Sequence, residues 1–222
     1  MLLPPTCPCC GARGAAPCAD CRAQLRPAPP APPPAGVDGW VALLAYEGVG
    51  RELVARLKYR NARSTLIWLA DGLADLVDPS GIDVVTWAPT TVARRRDRGF
   101  DQAELLARAV ARRLGRPCRS LVRRGPGPAQ TGRRADERRL GVDVRCVRTS
   151  PPNVLVVDDV ATTGATLTAV ASALRGSGTV GVWVATAART PARTGRLPSA
   201  GPVVAPGGSG GHQGQWPSHG GL

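Results

Sequence analysis

The sequence of 222 residues contains no run of about 18 uncharged apolar residues, the length that a membrane-spanning helix needs. Its first ten residues, MLLPPTCPCC, lack the basic start and the apolar core of a secretory signal. Histidine occurs only at His212 and His219, without clustered partners, which argues against a histidine-based metal site. No internal repeat is present. We therefore expect a cytoplasmic protein that does not insert into membranes.

Aromatic residues and lysine are also scarce. Phe, Tyr and Trp make up 4% of the chain, so few side chains are available to stack on the bases of single-stranded DNA. Lys58 is the only lysine, yet the formal net charge is +13, because residues 82–148 contain 17 Arg against 7 acidic residues. A field of this sign attracts phosphates, on nucleic acid or on a small metabolite. The alternative is an ordinary soluble surface in an arginine-rich proteome.

Composition divides the chain into four parts. Residues 1–25 carry the pairs CPCC and CADC and form a small cysteine module. Residues 26–39 include RPAPPAPPPAG, a proline-rich linker that we expect to be extended and semi-rigid. Residues 40–189 have the apolar periodicity of a folded domain. Residues 190–222 are rich in Pro, Gly, Ser and Thr, and we expect disorder there.

Within the predicted domain, strand patterns alternate with helix patterns. The segments VALLAY, IDVVTWAP, VLVVDD and VGVWVATA are short apolar strands, and a further short strand is expected around Leu121. Apolar residues at 3–4 spacing predict helices in RELVARLKY, TLIWLADGLADLV, DQAELLARAVARRLG and from about Thr166 to Leu174. Asp101 and Glu104 form a capping box at the third of these. The alternation predicts an α/β fold with a doubly wound parallel sheet.

The stretch VLVVDDVATTGATL combines an apolar strand, two adjacent carboxylates and a turn into a helix. We expect Asp158 and Asp159 to mark the end of the strand, at the edge where parallel sheets bind ligands. Their carboxylates are suited to accept hydrogen bonds from a vicinal diol, such as the 2′ and 3′ hydroxyls of ribose. The backbone amides of the turn and the helix N-terminus would hold a phosphate at Thr162, Thr163, Gly164, Ala165 and Thr166. A ribose 5-phosphate satisfies both requirements, whereas the alternative is an acidic strand end before an ordinary helix cap.

The cysteine module has the spacing of a tetrahedral metal site. Cys7, Cys10, Cys18 and Cys21 form C-x2-C-x7-C-x2-C, which is typical of structural zinc. In a reducing compartment two such pairs are more plausibly metal ligands than disulfides. Cys9 is an alternative metal ligand to Cys10, but the turn that joins it to Cys7 would be shorter. The other two cysteines, Cys118 and Cys146, are expected to be core or incidental thiols.

The stretch that contains the two aspartates resembles the 5-phosphoribosyl 1-diphosphate (PRPP) signature of type I phosphoribosyltransferases. Three other features narrow the resemblance to the ComF-like, competence-associated branch: the cysteine module, the LKY segment at 57–59, and RGFDQA at 98–103. Gln130, followed by RRADERR, is also similar to that branch. The resemblance covers about residues 7–188. It implies a type I phosphoribosyltransferase fold that binds PRPP through Asp158, Asp159, Ala161 and the turn up to Thr166.

One segment and two single positions depart from the family pattern. The chain has TWAPTTVARRR where the family has a Pro-Val-Pro-Leu type segment, Asp101 where it usually has Asn, and Gly141 where it often has another Asn. The resemblance implies Mg²⁺ bound with PRPP, and a pyrophosphate loop for which Pro89, Thr90 and Thr91 are the candidates, near Arg94–Arg96. The alternative for this loop is a solvated basic segment.

The segment from Gly125 to Gly141 is rich in Gly and Pro and lacks apolar periodicity. We predict a mobile lid over the ligand, in which Arg133 and Arg134 contact the diphosphate. The alternative is that these arginines contact only nucleic acid or solvent.

Three functions fit these observations. The first is a ComF-like protein that binds PRPP and acts in DNA uptake, for which the resemblance implies single-stranded DNA and a competence helicase as partners. The second is a phosphoribosyltransferase that acts on a base or an amine, and the third is a regulator that senses PRPP without turnover. No general base is evident in the signature turn. Thr162 stands where salvage enzymes for 6-oxopurines carry an acid, which argues against that specificity.

Overall fold

The computed structural model describes residues 6–57, 63–90, 100–125 and 142–191. Five α-helices and six β-strands are present in this part of the chain. The helices are α1 Ala19–Ala23, α2 Gly48–Arg56, α3 Arg63–Ala74, α4 Gln102–Leu114 and α5 Ala165–Gly176. The strands are β1 Gly39–Ala45, β2 Val84–Trp87, β3 Val122–Arg124, β4 Val144–Cys146, β5 Asn153–Ala161 and β6 Gly181–Arg189. A short 3₁₀ helix, Pro79–Gly81, precedes β2.

Four strands form one parallel sheet in the order β1-β6-β5-β2. Alternate side chains of the central strands are buried on opposite faces: Leu155 and Val157 pack with α2, α3 and α4, whereas Val154 and Val156 pack with α5. Burial on both faces explains why these strands read as continuous apolar runs. The predicted α/β class, with a doubly wound parallel sheet, is confirmed.

The strands β3 and β4 form a separate antiparallel pair, with Val122 opposite Cys146 and Arg124 opposite Val144. The predicted strand around Leu121 corresponds to β3, but it does not join the main sheet, and β4 was not predicted. Cys118 makes an isolated parallel bridge with Val85 of β2, so the chain touches the main sheet just before it enters the hairpin. The two strands flank residues 126–141, which lie outside the described residues and make up the predicted lid, Gly125–Gly141, except for its first residue.

The proline-rich segment, residues 26–36, is called the proline strap below because it packs along the domain. At its start it runs antiparallel to β1, where the Ala28 amide donates to the Leu43 carbonyl (3.2 Å) and the Ala45 amide donates to the Arg26 carbonyl (2.9 Å). Since β1 is an edge strand, the strap covers backbone groups that would otherwise be free to pair with another chain.

The far end of the strap is fixed to α5. The guanidinium of Arg175 donates to the Gly36 carbonyl (2.9 Å) and, through one nitrogen, to both carboxylate oxygens of Asp38 (2.7 Å each). Asp38 in turn accepts a bond from the Val182 amide at the start of β6 (2.7 Å). The strap therefore crosses from one end of β1 to the other by way of α5.

Within the described ranges, no helix is both long enough and apolar enough to span a bilayer.

Candidate functional site

The aspartates lie within β5, not at its end. We expected the strand to stop at Asp158 and Asp159, but β5 continues to Ala161. Its pairing with β6 persists over these residues, from Asp158 opposite Thr186 to Ala161 opposite Arg189. The strand continues because β6 supports it on one side, which the sequence of β5 alone does not reveal.

On its other side β5 loses its partner at the aspartates. The ladder with β2 ends with Trp87 opposite Val157 and a last bond from the Ala88 amide to the Val157 carbonyl (3.0 Å). Among the described residues, no strand pairs with this edge of β5 from Asp158 onward. This open edge lies where β2 ends, at the carboxyl edge of the sheet, where parallel sheets bind ligands.

The two carboxylates form a strained electrostatic pair. Burial raises the pKa of Asp158 well above its usual range, and the neighbouring charge of Asp159 raises it further. The Asp158 carboxylate accepts a bond from the Asp159 amide (2.9 Å), and the Asp159 carboxylate accepts one from the Val160 amide (2.9 Å). An incoming hydroxyl or cation would relieve the repulsion between them.

The turn after β5 leads directly into α5. Thr162 and Thr163 are exposed, and Gly164 occupies the N-cap with φ +76°, a left-handed conformation that favours glycine. The Thr163 hydroxyl accepts a bond from the Ala165 amide (3.4 Å). Thr166 lies in the first turn of the helix and is partly buried. This arrangement places a helix N-terminus, whose first amides have no intrahelical partner, within a few residues of the two carboxylates along the chain.

The proline strap contacts this turn. A Cβ built on Gly164 would lie 3.1 Å from Cγ of Pro34. The absence of a side chain at position 164 thus serves both the left-handed backbone and the close approach of the strap.

Replacing Gly164 with alanine is expected to destabilise the protein and to weaken ligand binding at the turn. The left-handed conformation costs a residue with a Cβ about 1–2 kcal/mol, and here the Cβ also crowds Pro34. Gly115 offers a matched control, since it is left-handed (φ +64°) with open space around it. Denaturant unfolding should show a loss for both variants, at least as large for Gly164→Ala, whereas titration with ribose 5-phosphate should show weaker binding for Gly164→Ala alone. Equal affinities of the two variants for ribose 5-phosphate would show that the turn does not bind the ligand.

Asp101 belongs to this site, although the sequence suggested only a helix cap and a departure from the family pattern. It does cap α4, by accepting a bond from the Ala103 amide (3.1 Å). Its other oxygen accepts the Thr90 amide (3.2 Å). Burial raises the pKa of Asp101 and the charge of Asp159 raises it further, so the Asp101 carboxyl is within electrostatic range of the site. The sequence did contain a signal for this role: Asp101 is a helix N-cap that directly follows a basic loop at the carboxyl edge of the predicted sheet.

The structure describes only part of the predicted pyrophosphate loop. Pro89 is buried and has no amide hydrogen, and the amide of Thr90 is already donated to Asp101. Neither residue therefore offers a free backbone amide to a diphosphate. The remaining loop candidates, and those of the predicted lid, lie outside the described residues: Thr91, Arg94, Arg95, Arg96, Arg133 and Arg134.

The four predicted zinc ligands come together. The Sγ atoms of Cys7, Cys10, Cys18 and Cys21 all lie within 4.8 Å of one another, and the Cys10 and Cys18 atoms are 3.5 Å apart. Tetrahedral zinc with bonds of about 2.3 Å requires sulfur separations of about 3.8 Å, so the cluster could hold a metal such as zinc.

Local electrostatics favour a thiolate at Cys7, whereas the pKa values of Cys10 and Cys21 are raised. Burial raises the pKa of the Cys7 thiol, but backbone amides of Cys18, Cys10 and Cys9 outweigh burial and bring the pKa to about 6. Cys9, the alternative ligand, is outside the four-sulfur group and packs against the core, where burial raises its pKa to about 11. The geometry therefore selects Cys10 over Cys9.

No family model matches the sequence, and no curated protein matches it. Several solved structures are similar. The glutamine PRPP amidotransferase of B. subtilis, complexed with ADP and GMP, is 18% identical with a TM-score of 0.44; the match covers 60% of this chain and 30% of that one. The chain therefore spans less than a third of that enzyme.

Two smaller proteins are similar over more of their length. Orotate phosphoribosyltransferase from Aeropyrum pernix is 23% identical with a TM-score of 0.38, over 64% of this chain and 67% of that one. Adenine phosphoribosyltransferase from Giardia lamblia, complexed with 9-deazaadenine, is 16% identical with a TM-score of 0.45, over 77% and 84%. With TM-scores below 0.5 these similarities carry no weight for function, which has to be inferred from the site itself.

Proposed function

We propose that the protein binds PRPP at the carboxyl edge of its sheet. The observation that carries the proposal is the open edge of β5, where two adjacent carboxylates lead within a few residues into a left-handed glycine turn and a helix N-terminus. Asp158 and Asp159 accept the ribose hydroxyls, and the backbone from Thr162 to Thr166 holds the 5-phosphate.

The proposal includes a Mg²⁺ ion that binds together with the diphosphate of PRPP. Oxygen atoms are the ligands that Mg²⁺ prefers, and the three carboxylates of Asp101, Asp158 and Asp159 supply only oxygen to the site. Burial raises the pKa of Asp158 and the charges of Asp159 and Asp101 raise it further, and a divalent cation would offset this cost. When bound, the ion would neutralise charge on the leaving diphosphate.

The reaction that such a site supports is displacement at the anomeric carbon. A lone pair of the acceptor nitrogen forms the new bond to C1, the bond from C1 to the diphosphate oxygen breaks with its electron pair leaving on diphosphate, and the acceptor proton passes to solvent. The protein contributes positioning and charge stabilisation. Thr162 is exposed and has no acid–base group, so the turn itself supplies no general base.

Two alternatives without turnover fit the same binding site: a regulator that senses PRPP, and a ComF-like protein that acts with single-stranded DNA and a helicase in DNA uptake. The DNA-binding role gains little support from the surface. Every aromatic side chain among the described residues is buried or partly buried, so no exposed stacking platform for bases is found in this part of the chain.

Zinc is proposed as the occupant of the cysteine cluster, where it would be structural because the four sulfurs complete a closed tetrahedral set. Free thiols suit a reducing compartment such as the cytoplasm.

Calorimetry with PRPP and Mg²⁺, followed by assays of diphosphate release with a panel of bases and amines, tests the proposal. We expect micromolar or tighter binding of PRPP. Release that depends on one acceptor would identify a transferase, and binding without release would favour the sensing or DNA-uptake alternatives. Absence of binding to PRPP and to ribose 5-phosphate would overturn the assignment.

A further inference from the structure

Asp101 connects two elements that flank residues 91–99. Its side chain is buried, with 5% of the residue exposed. One carboxylate oxygen accepts the Ala103 amide at the N-terminus of α4, and the other accepts the Thr90 amide at the end of the β2 segment. Two backbone donors on different elements are thus held by one carboxylate.

The Thr90 amide would otherwise continue the sheet. In a strand, amides two residues apart point to the same neighbour, and the Ala88 amide donates to the Val157 carbonyl of β5. Thr90 is therefore the next donor on that side, and Asp159 would be the next acceptor. The Thr90 amide is donated to Asp101 instead, and the described pairing of β2 with β5 ends at Trp87 and Val157, immediately before the two aspartates.

The three carboxylates also interact through their charges. Burial raises the pKa of Asp101, against the backbone amides of Thr90, Glu104 and Ala103, and Asp159 adds to the rise. Asp101 likewise contributes to the raised pKa of Asp158. The end of the β2 segment is therefore held within electrostatic range of the open edge of β5.

We propose that Asp101 is a positioning residue that holds the chain after β2 away from β5 at Asp158 and Asp159, and thereby keeps the space beside them in which a ribose diol reaches their carboxylates. The inference rests on the proposed function of the site. An asparagine at this position has one accepting oxygen in place of two, so it cannot hold both amides in the same way. The aspartate of this chain is suited to hold both.

The test compares the affinities of the full-length protein for ribose 5-phosphate and 2-deoxyribose 5-phosphate by calorimetry. The wild type should prefer the ribose form by about tenfold or more, since a hydrogen bond to a charged acceptor is lost with the 2-hydroxyl. Asp101→Asn should reduce this preference several-fold, and Asp101→Ala should abolish it. A variant that is merely less stable would lose affinity for both sugars and keep their ratio. Asp78→Asn is the control, because Asp78 caps the 3₁₀ helix through the Ser80 amide, which belongs to no part of the site.

Each outcome bears on a different claim. A wild type without preference for ribose would overturn the proposed diol site itself. A wild type with that preference, together with an Asp101→Asn protein that retains it, would overturn the role of Asp101 and leave the site intact. Circular dichroism of both variants establishes that they are folded; the near-isosteric Asp101→Asn variant carries the test if Asp101→Ala does not fold.

Discussion

Asp158→Asn is expected to weaken binding of PRPP roughly 10- to 150-fold, because a hydrogen bond to a charged acceptor contributes about 1.5–3 kcal/mol. The same change is expected to stabilise the ligand-free protein. Asp158 is partly buried next to Asp159; burial raises its pKa, the like charge raises it further, and removing one of the two charges relieves that repulsion. A gain of about 1 kcal/mol would raise Tm by roughly 2–4 °C. Calorimetry with PRPP and thermal unfolding without ligand measure the two effects.

The stability gain should depend on pH in a defined direction. Since the folded-state pKa of Asp158 is raised, the folded protein binds its proton more tightly than the unfolded chain does. The stabilisation of the wild type by this group is therefore present at pH values below the ordinary aspartate pKa and is lost as pH rises through the raised value. The advantage of Asp158→Asn should be largest at neutral pH and should shrink as the pH falls.

Asp78→Asn is a control, because the pKa of Asp78 is shifted in the opposite direction to that of Asp158. The Ser80 amide lowers the pKa of Asp78, so its contribution to stability is present above the ordinary pKa and is lost in acid. This variant should be no more stable than the wild type at neutral pH and should bind PRPP normally. Weakened PRPP binding without any stability gain in Asp158→Asn would show that the repulsion between the aspartates is absent. An unchanged affinity would refute the role of Asp158 in the site.

Loss of the metal is expected to unfold the cysteine module and to leave the sheet folded. Structural zinc contributes about 10–16 kcal/mol to the folding of small cysteine modules. We expect about one equivalent of zinc per chain, lost in Cys7→Ser and Cys21→Ser and retained in the neighbouring Cys9→Ala, which lies outside the four-sulfur cluster. Metal analysis and amide hydrogen exchange measure these outcomes.

The unfolding should stop near the start of the proline strap. Leu25 is buried in the main core, and Arg26 and Ala28 have their own backbone bonds to β1. Amides of β1 should therefore keep their protection when zinc is removed, while those from Cys7 to about Ala23 lose it. A module that exchanges slowly without metal would contradict the structural role of zinc. Loss of protection throughout β1 would show that the strap depends on zinc.

The sequence was informative where local pattern decides the structure. Helix α4 is an example: its apolar residues recur every three or four positions, Asp101 caps its start, and the left-handed Gly115 ends it, close to the predicted bounds. The four strands of the main sheet and the cysteine cluster were predictable for similar reasons, because apolar runs and fixed ligand spacing are visible in the sequence itself.

Features that depend on neighbours in space could not be predicted in this way. The continuation of β5 past Asp158 depends on β6, and the open edge depends on where β2 ends. Short strands such as β3, with three residues, have too little pattern to reveal an antiparallel partner. The contact of Pro34 with Gly164 joins positions far apart in the chain, and composition suggested only an extended linker.

The strand order β1-β6-β5-β2 has a consequence for biosynthesis. In this sheet β1, which is made first, pairs with β6, which is made last. The sheet cannot close until the ribosome has released β6, and such long-range parallel pairing is slow. During translation the apolar strand β1 lacks its sheet partner, and the strap residues that precede it provide the backbone groups that pair with its end near Leu43 and Ala45. The strap thus covers the edge of β1 opposite the one that later receives β6, so that only one edge of this strand waits for a partner made last.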